Sequence, residues 1–408
     1  MGHRTLFTGL GAKALTQTSQ ENLMPKDMHF LPQITRRPFA RLMRRRAPKP
    51  ALTSVEAQAG ATGSKVVSGG QPSPQDYFTL STAHALRAIA LVFLLAGHCY
   101  LFCISGAGLM GQGGEWAVMT FLIVSGMGLT KSCDFNRCGR PFIKRRLSRI
   151  LIPLWFILPA FYLLDLALLN KTYPWHEIAL SFAGIIKKSS PNASLWFITF
   201  ILYLYGLFFL ISNIPASTAA KCVLLVLTSF GTRLLIIHVP ILSDYFGGWT
   251  TYTFAFPLSV CLMASRGSFI DRLQTLSVRF GWVLFFLWAG MAASFIAMPA
   301  GRTLFFVAFI AISIFYLDKI RSMPRFIHLL GEHSYEIYLV HFPLLVSYGL
   351  VIGREPVALF FSLYCLFVLL SAVTLRIGSE LIAKRMGIEA SRCLQAPLAS
   401  RCAADVIL

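Results

Sequence analysis

Charged residues are scarce in this chain, and their scarcity excludes most classes of soluble protein. Only 13% of the 408 residues are Asp, Glu, Lys or Arg, about half the fraction of an average soluble domain, and 56% are hydrophobic. The hydrophobic residues gather into runs of about 17 or more, the length that crosses roughly 30 Å of hydrocarbon. Because a backbone in lipid must satisfy its own hydrogen bonds, these runs are expected to be helices. The sequence therefore predicts an all-α, polytopic integral membrane protein.

Several signals of other protein classes are also missing. The nine cysteines include no Cys-x-x-Cys pair and no His/Cys spacing of a zinc site. We therefore expect them, Cys133 and Cys138 included, to be packing residues without a disulfide framework and without a metal. Residues 1–75 contain no apolar stretch like that of a secretory signal. Leu6 stands where a myristoylation motif that starts at Gly2 needs Ser or Thr.

About ten hydrophobic stretches qualify as transmembrane helices. If the N-terminus is cytoplasmic, most of the 37 Lys and Arg fall on the cytoplasmic side, as the positive-inside rule requires, and an even number of spans makes the C-terminus cytoplasmic too. The net charge of +20 is thus interpreted as topology and contact with anionic lipid headgroups, not as nucleic-acid binding. The predicted spans are 83–104, 114–130, 150–169, 194–213, 219–238, 249–264, 280–299, 303–318, 335–352 and 357–380.

Three regions follow from this pattern. Residues 1–75 are predicted to form a basic, mostly disordered cytoplasmic arm, because they are polar and rich in arginine. Residues 76–382 form the membrane domain, and residues 383–408 a cytoplasmic tail.

Two ionisable residues share one face of the first predicted span. Arg87 and His98 are eleven residues apart, and eleven steps of about 100° bring a helix back to within about 20° of its starting direction. Along the axis they are separated by about 16 Å. An arginine near the cytoplasmic headgroups and a histidine past the midplane suggest a substrate that runs along this face. The alternatives are a snorkelling anchor for Arg87 and a polar packing residue for His98.

Two further groups of residues can bind a substrate. Arg146 and Arg149, at i,i+3 spacing, are predicted to lie in a cationic turn at the cytoplasmic start of the third span. This turn is either a topological signal or a clamp for phosphate groups, which arginine binds through paired hydrogen bonds. In the ninth span Ser334, Tyr338 and His341 form one polar stripe, which must face the protein interior or a wet cavity.

Other embedded residues favour a structural interpretation. Gly126 and its small neighbours in the second span permit close approach of another helix. Asp165 and Arg233 lie in apolar spans, where each is expected to have a structural partner. Trp196, at the start of the fourth span, is interpreted as an interfacial belt residue sooner than as a platform for substrate.

Taken together, these segments resemble the acyltransferase 3 family, membrane O-acyltransferases that modify bacterial surface polysaccharides and related acceptors. The resemblance covers about residues 78–380, in the family's order, and includes the count of ten helices. The matching features are Arg87-x10-His98, the Phe121–Gly128 segment, Arg146-x-x-Arg149, Leu195-Trp196-Phe197 and Ser334–His341.

The resemblance implies transfer of an acyl group, usually acetyl, from cytoplasmic acyl-CoA to a hydroxyl of a cell-surface or exported polysaccharide or glycolipid, without a metal. His98 would be catalytic, either as general base on the acceptor hydroxyl or as acyl carrier. Arg87 would help to hold the CoA end of the donor, and Arg146 and Arg149 would contact its phosphates. Further candidates for the site are Ser334, Tyr338, His341 and Trp196.

The resemblance also implies a bacterial inner (cytoplasmic) membrane. Contact with membrane lipids, and no nucleic acid as a partner, are expected from where the positive charge lies. Only about 28 residues follow the last span, too few for the hydrolase-like domain of some members, so the chain is expected to act alone or with a separate periplasmic or membrane partner. The loop at 170–193, with Trp175, is a candidate sugar contact. Asn170 and Asn192 fit glycosylation sequons, which often arise by chance.

A transporter or flippase of a glycan or small-molecule precursor is the main alternative. Paired inverted halves would favour it, but residues 78–230 show no clear repeat in residues 231–380. A non-catalytic scaffold would leave the embedded Arg and His unexplained. Consumption of acetyl-CoA by membranes that contain the protein would distinguish an acyltransferase from a transporter.

Overall fold

Helices make up the regular structure of the protein. A computed structural model describes residues 78–105, 112–133, 135, 138–186, 190–265, 302–318 and 323–385. Within these ranges there are twelve α-helices, short 3₁₀ and π-helical segments, and no strand. The all-α prediction is therefore confirmed. The predicted arm at 1–75 lies outside the described residues, as does most of the predicted tail.

In chain order the helices are α1 (Leu80–Cys99), α2 (Gly113–Ser132), α3 (Arg140–Leu169), α4 (Trp175–Phe182), α5 (Trp196–Ser212), α6 (Thr218–His238), α7 (Pro240–Phe246), α8 (Ala255–Ala264), α9 (Arg302–Asp318), α10 (Arg325–Glu332), α11 (Ser334–Phe342) and α12 (Val357–Arg385). π-helical segments follow α1 at Tyr100–Ser105 and α11 at Pro343–Ser347. The 3₁₀ turns are Ala193–Leu195, before α5, and Gly247–Thr251, after α7.

Within the described residues, five helical stretches are long and apolar enough to cross a membrane, in agreement with the predicted class. Four of the predicted spans overlap helices that are not among these five. These spans are 114–130, 249–264, 303–318 and 335–352, and they overlap α2, α8, α9 and α11, respectively. The predicted span at 280–299 lies outside the described residues. The count of ten spans and the orientation of the termini stay predictions. The five stretches are Leu80–Cys103, Arg140–Leu169, Ala193–Ser212, Thr218–His238 and Val357–Arg385.

Helix α3 begins at Arg140, ten residues before the predicted start of the third span. Pro141 lies in its first turn. The N–H groups of a first turn have no hydrogen-bond partner within the helix, so the missing N–H of proline costs nothing there. Arg146 and Arg149 consequently lie on α3 itself, and the predicted start of the span at residue 150 is ten residues late for the helix. The prediction followed the hydrophobic run alone, whereas the first turns of α3 are amphipathic and bury Arg146.

Glycine allows two pairs of helices to touch. A Cβ on Gly126 of α2 would lie 2.1 Å from Ser259 Oγ and 2.9 Å from the carbonyl oxygen of Phe256, both in α8. A Cβ on Gly331 of α10 would lie 2.1 Å from the carbonyl oxygen of His84 in α1. Since these distances are shorter than any van der Waals contact, a larger residue would force the helices apart. The predicted close approach at Gly126 is confirmed.

The embedded residues Asp165 and Arg233 have structural partners, as predicted. Asp165 accepts hydrogen bonds from the hydroxyl groups of Tyr173 and Tyr348, the second at 2.9 Å. Arg233 donates from Nη1 to the carbonyl oxygen of Thr250 at 2.8 Å. Both side chains thus hold helices to their neighbouring loops.

Cys133 and Cys138 form a disulfide across the connection between α2 and α3. Their Cα atoms are 5.8 Å apart, within the range that a disulfide needs. Both are buried, but the prediction that they are unpaired packing residues is wrong. The path of the short connection decides whether the two Cβ atoms meet, and their spacing in the sequence does not contain that information.

The contact at Gly126 leads to a stability prediction. Gly126→Ala should lower the melting temperature of the purified protein in detergent, because the added methyl group overpacks the α2–α8 contact at a cost of about 1–3 kcal/mol. Gly206→Ala in α5 is the matched control, since nothing lies within 4 Å of a Cβ at that position. Equal melting temperatures for the two variants would contradict the packing argument.

Candidate functional site

Two histidines from distant parts of the chain meet between α1 and α11. His341 Nε2 lies 3.3 Å from His98 Nδ1, and the planes of the two rings are within 5° of each other. His341 is fully buried and His98 is partly buried. Each is the second-last residue of its α-helix, and each helix continues as a π-helical segment. Such segments are frequent at functional sites.

The other polar contacts of His341 are with the backbone. Its Nδ1 lies 2.7 Å from the carbonyl oxygen of Tyr338 in the preceding turn of α11. The hydroxyl of Tyr364 in α12 donates to the carbonyl oxygen of His341 at 2.9 Å. Tyr338 in turn donates its hydroxyl hydrogen to the carbonyl oxygen of Ser194. The first bond orients the imidazole ring, and the other two hold only the surrounding backbone or the neighbouring Tyr338.

The polar stripe of α11 faces the protein interior, as predicted. Ser334, Tyr338 and His341 are all buried. Trp196 is partly buried and stacks on Tyr252 with 5.6 Å between ring centroids, so it packs on the hydrophobic core. Its ring is therefore a packing element next to the site.

A cluster of arginines lies on α1 and α3. Arg87 and Arg146 are 3% and 2% exposed, and both lie within electrostatic range of Arg149 and of the buried hydroxyl of Tyr205. Arg146 donates from Nη2 to Ser132 Oγ at 2.7 Å. The structure therefore brings together the three arginines that the sequence separates into two motifs. Burial this deep does not fit a snorkelling anchor, whose charge reaches water.

Arg87 also has an unsatisfied donor. Its Nη2 is buried and has no hydrogen-bond partner within the described residues. The carboxylate of Glu336 in α11 attracts Arg87, yet Glu336 Oε2 likewise has no hydrogen-bond partner in that part of the chain. A buried polar atom without a partner costs on the order of 1–3 kcal/mol, more when charged. The position of Arg87 therefore suits an anionic ligand.

Arg87 and His98 share the buried face of α1, but the surface between them is closed. Ala90, Leu91 and Leu94 lie on the same face, and each is at most 2% exposed. The substrate path that the spacing suggests is thus filled by packed side chains. A ligand that reaches from Arg87 to His98 must displace these leucines or run beside α1.

His98 Nε2 faces the first turn of α2. A Cβ on Gly114 would lie 3.0 Å from this nitrogen, so the glycine keeps room beside it. Gly113 allows the approach, because a Cβ there would lie 2.1 Å from the carbonyl oxygen of Phe93 in α1. The sequence contains the Gly-Gly pair as a signal, but it does not reveal which residue the pair approaches.

Asn192 is a second residue that the sequence did not single out for the site. It is fully buried, and its Nδ2 donates to the carbonyl oxygen of Leu339 in α11 at 2.8 Å. Its Oδ1 accepts from the backbone N–H of Ser194 at 3.1 Å and from the hydroxyl of Ser194 at 2.7 Å. Asn192 therefore joins the start of α5 to the stripe of α11. An amide bonded in this way is not available to carry a glycan.

Comparison with known proteins gives the family. The model of the Acyl_transf_3 family, described as an acyltransferase domain, matches residues 83–376. All the site residues described above lie within this match. Together with the apolar helices, it identifies a membrane acyltransferase that transfers groups other than aminoacyl groups. The chain belongs to the acyltransferase 3 family. No curated protein and no solved structure matches it.

The bonds of Asn192 predict that it stabilises the site. Asn192→Ala should lower the melting temperature, because the carbonyl of Leu339 loses its donor inside the protein, at a cost of about 1–3 kcal/mol. Asn213→Ala is the matched control. The exposed Asn213 donates to the carbonyl oxygen of Phe209 at 2.8 Å and to the hydroxyl of Ser212 at 3.4 Å, both in the last turn of its own helix. A fall for Asn213→Ala as large as that for Asn192→Ala would contradict this role.

Proposed function

We propose that the protein is an O-acetyltransferase of a bacterial inner membrane. It moves an acetyl group from cytoplasmic acetyl-CoA to a hydroxyl of a cell-surface or exported polysaccharide or glycolipid. One observation carries the proposal: a single face of α1 bears a buried arginine, Arg87, in a cationic cluster and, further along, a histidine, His98, paired with His341. Family membership supports acyl transfer as such, and the identity of donor and acceptor is part of the proposal.

The arginine cluster suits the phosphate end of the donor. CoA carries phosphate groups at its nucleotide end, and guanidinium groups bind phosphate oxygens through paired, charge-assisted hydrogen bonds. The unsatisfied Nη2 of Arg87 supplies one such donor, and Arg146 and Arg149 lie in the same cluster. A ligand phosphate there would also offset the mutual repulsion of the three cations, of which Arg87 and Arg146 are buried.

The distance along α1 suits the pantetheine arm. Arg87 and His98 are separated by about 16 Å along the helix axis, which is on the order of the length of that arm. A donor held by its phosphates at the cluster therefore brings its thioester to His98, and binding energy gained far from the reaction orients the reacting atoms. Since Leu91 and Leu94 fill the direct line, the arm runs beside them or displaces them.

His98 acts as the general base in this proposal. It takes the proton of the acceptor hydroxyl while the hydroxyl oxygen attacks the thioester carbon. The carbon–sulfur bond then breaks, and the departing sulfur takes the same proton from His98. The products are the O-acetylated acceptor and free CoA.

Truncated donors test the role of the arginines. In proteoliposomes, Arg146→Gln should raise the KM for acetyl-CoA by about 10-fold or more, because a charge-assisted hydrogen bond to phosphate is worth roughly 1.5–3 kcal/mol. The KM for S-acetyl-N-acetylcysteamine, a thioester without phosphates, should stay the same. Arg140→Gln, an exposed arginine of the same helix, is the matched control. Equal losses with both donors would argue against phosphate binding.

Removal of His98 tests the chemistry. His98→Ala should lower kcat by about 10²–10⁴-fold, the usual contribution of a general base, and should leave binding of acetyl-CoA intact. The acceptor is surface glycan isolated from cells that lack the gene, in which mass analysis shows the missing acetyl group. His238→Ala, at the exposed end of α6, is the control. Full turnover by His98→Ala, or an intact thioester with the unaltered protein, would refute the proposal.

A further inference from the structure

The hydrogen bonds of His341 determine where its own proton lies. A carbonyl oxygen can only accept, so the contact of 2.7 Å between His341 Nδ1 and the carbonyl of Tyr338 requires a hydrogen on Nδ1. His341 is fully buried, and an uncompensated imidazolium is costly in such surroundings, so the ring is taken as neutral. A neutral imidazole carries a single N–H, which makes His341 Nε2 an acceptor.

The same reasoning continues to His98. Its Nδ1 lies 3.3 Å from His341 Nε2, and an acceptor nitrogen must face a donor. The hydrogen of this contact therefore belongs to His98 Nδ1. In the neutral ring, His98 Nε2 then carries a free lone pair, and this is the nitrogen that faces Gly114.

We propose that His341 is the positioning residue of the acyl transfer. It holds His98 as the tautomer with the hydrogen on Nδ1, which makes Nε2 the only nitrogen able to take the proton of the acceptor. The role in turnover rests on the function proposed above for His98, whereas the tautomer itself does not depend on that function.

The arrangement also stabilises the charged intermediate state. When His98 Nε2 takes the proton of the acceptor hydroxyl, the ring becomes an imidazolium with hydrogens on both nitrogens. Its Nδ1–H then donates to the neutral His341, whose own N–H remains on the carbonyl of Tyr338. The positive charge is thereby spread along a chain of aligned hydrogen bonds, and no second proton moves. Transfer of the Nε2 proton to the departing sulfur restores the starting state.

Gly114 limits what can occupy the reacting position. Because a Cβ would lie only 3.0 Å from His98 Nε2, even a methyl group would compete with the incoming hydroxyl for that nitrogen. In the same geometry, Phe102 and Phe342 contact the other sides of the His98 ring, with centroids 6.2 and 5.5 Å away.

The tautomer can be measured directly. Nitrogen NMR of the full chain in nanodiscs, with ¹⁵N-labelled histidine, distinguishes a protonated ring nitrogen from a bare one by chemical shift. The His98 signals are identified by their loss in His98→Asn. We expect the hydrogen on Nδ1 and a bare Nε2. A hydrogen on Nε2 of His98 would overturn the assignment, whether or not acyl transfer is observed.

Kinetics then test the positioning role. His341→Leu removes the acceptor, and we expect kcat to fall about 10- to 100-fold while the KM for acetyl-CoA stays within about threefold. His341→Gln places an amide oxygen near the former Nε2 and should recover at least a third of the loss on a logarithmic scale. Tyr364→Phe is the matched control, because it removes the hydrogen bond to the backbone carbonyl of His341 and leaves its ring contacts in place.

The outcomes separate a positioning role from a merely structural one. If His341 only supported the fold, Tyr364→Phe would lower activity as much as His341→Leu, and His341→Gln would give no recovery; either result overturns the proposal. If His341→Leu fails to fold, the NMR tautomer and His341→Gln decide alone. If the unaltered protein transfers no acetyl group while the tautomer is found as expected, the proposed function fails and the hydrogen-bond assignment stands.

Discussion

A polar group inside a bilayer has no water to bond to, and the site depends on this constraint. Every hydrogen-bonding atom near the membrane centre needs a partner within the protein. Asp165 and Arg233 meet the requirement with hydroxyl and carbonyl groups and so serve as structural ties. His98 and His341 meet it with each other, which leaves the second nitrogen of His98 for the proposed chemistry. In the proposed mechanism, the demand that stabilises the helices thereby also selects the reactive atom.

Much of the fold could be predicted from the sequence, because hydrophobic length and helical periodicity are local properties. The shared face of Arg87 and His98, and the inward stripe of α11, needed only a rotation of about 100° per residue. The start of α3 was missed, because an amphipathic turn that buries Arg146 does not look like a membrane span. The disulfide of Cys133 was missed because it depends on the path of a short loop.

The candidate site was predictable as a set of residues and not as an arrangement. Periodicity placed His98 and His341 on inward faces, but their contact joins residues 243 positions apart, and no local pattern contains that information. Asn192 and Gly114 were overlooked for a related reason. The role of a buried amide, or of a glycine that lets another residue come close, becomes clear only when the residues packed against it are known.

The packed leucines between Arg87 and His98 have an electrical consequence. A closed apolar layer is where most of the membrane voltage falls, and moving a unit charge through it involves about 2.3 kcal/mol per 100 mV. In the proposed reaction the phosphates of the donor stay on the side of Arg87, and the group delivered at His98 is a neutral acetyl. In that reaction Leu91 and Leu94 would act as an insulator. An acyl group would cross the membrane without a path for ions, and the voltage would neither drive nor oppose the transfer.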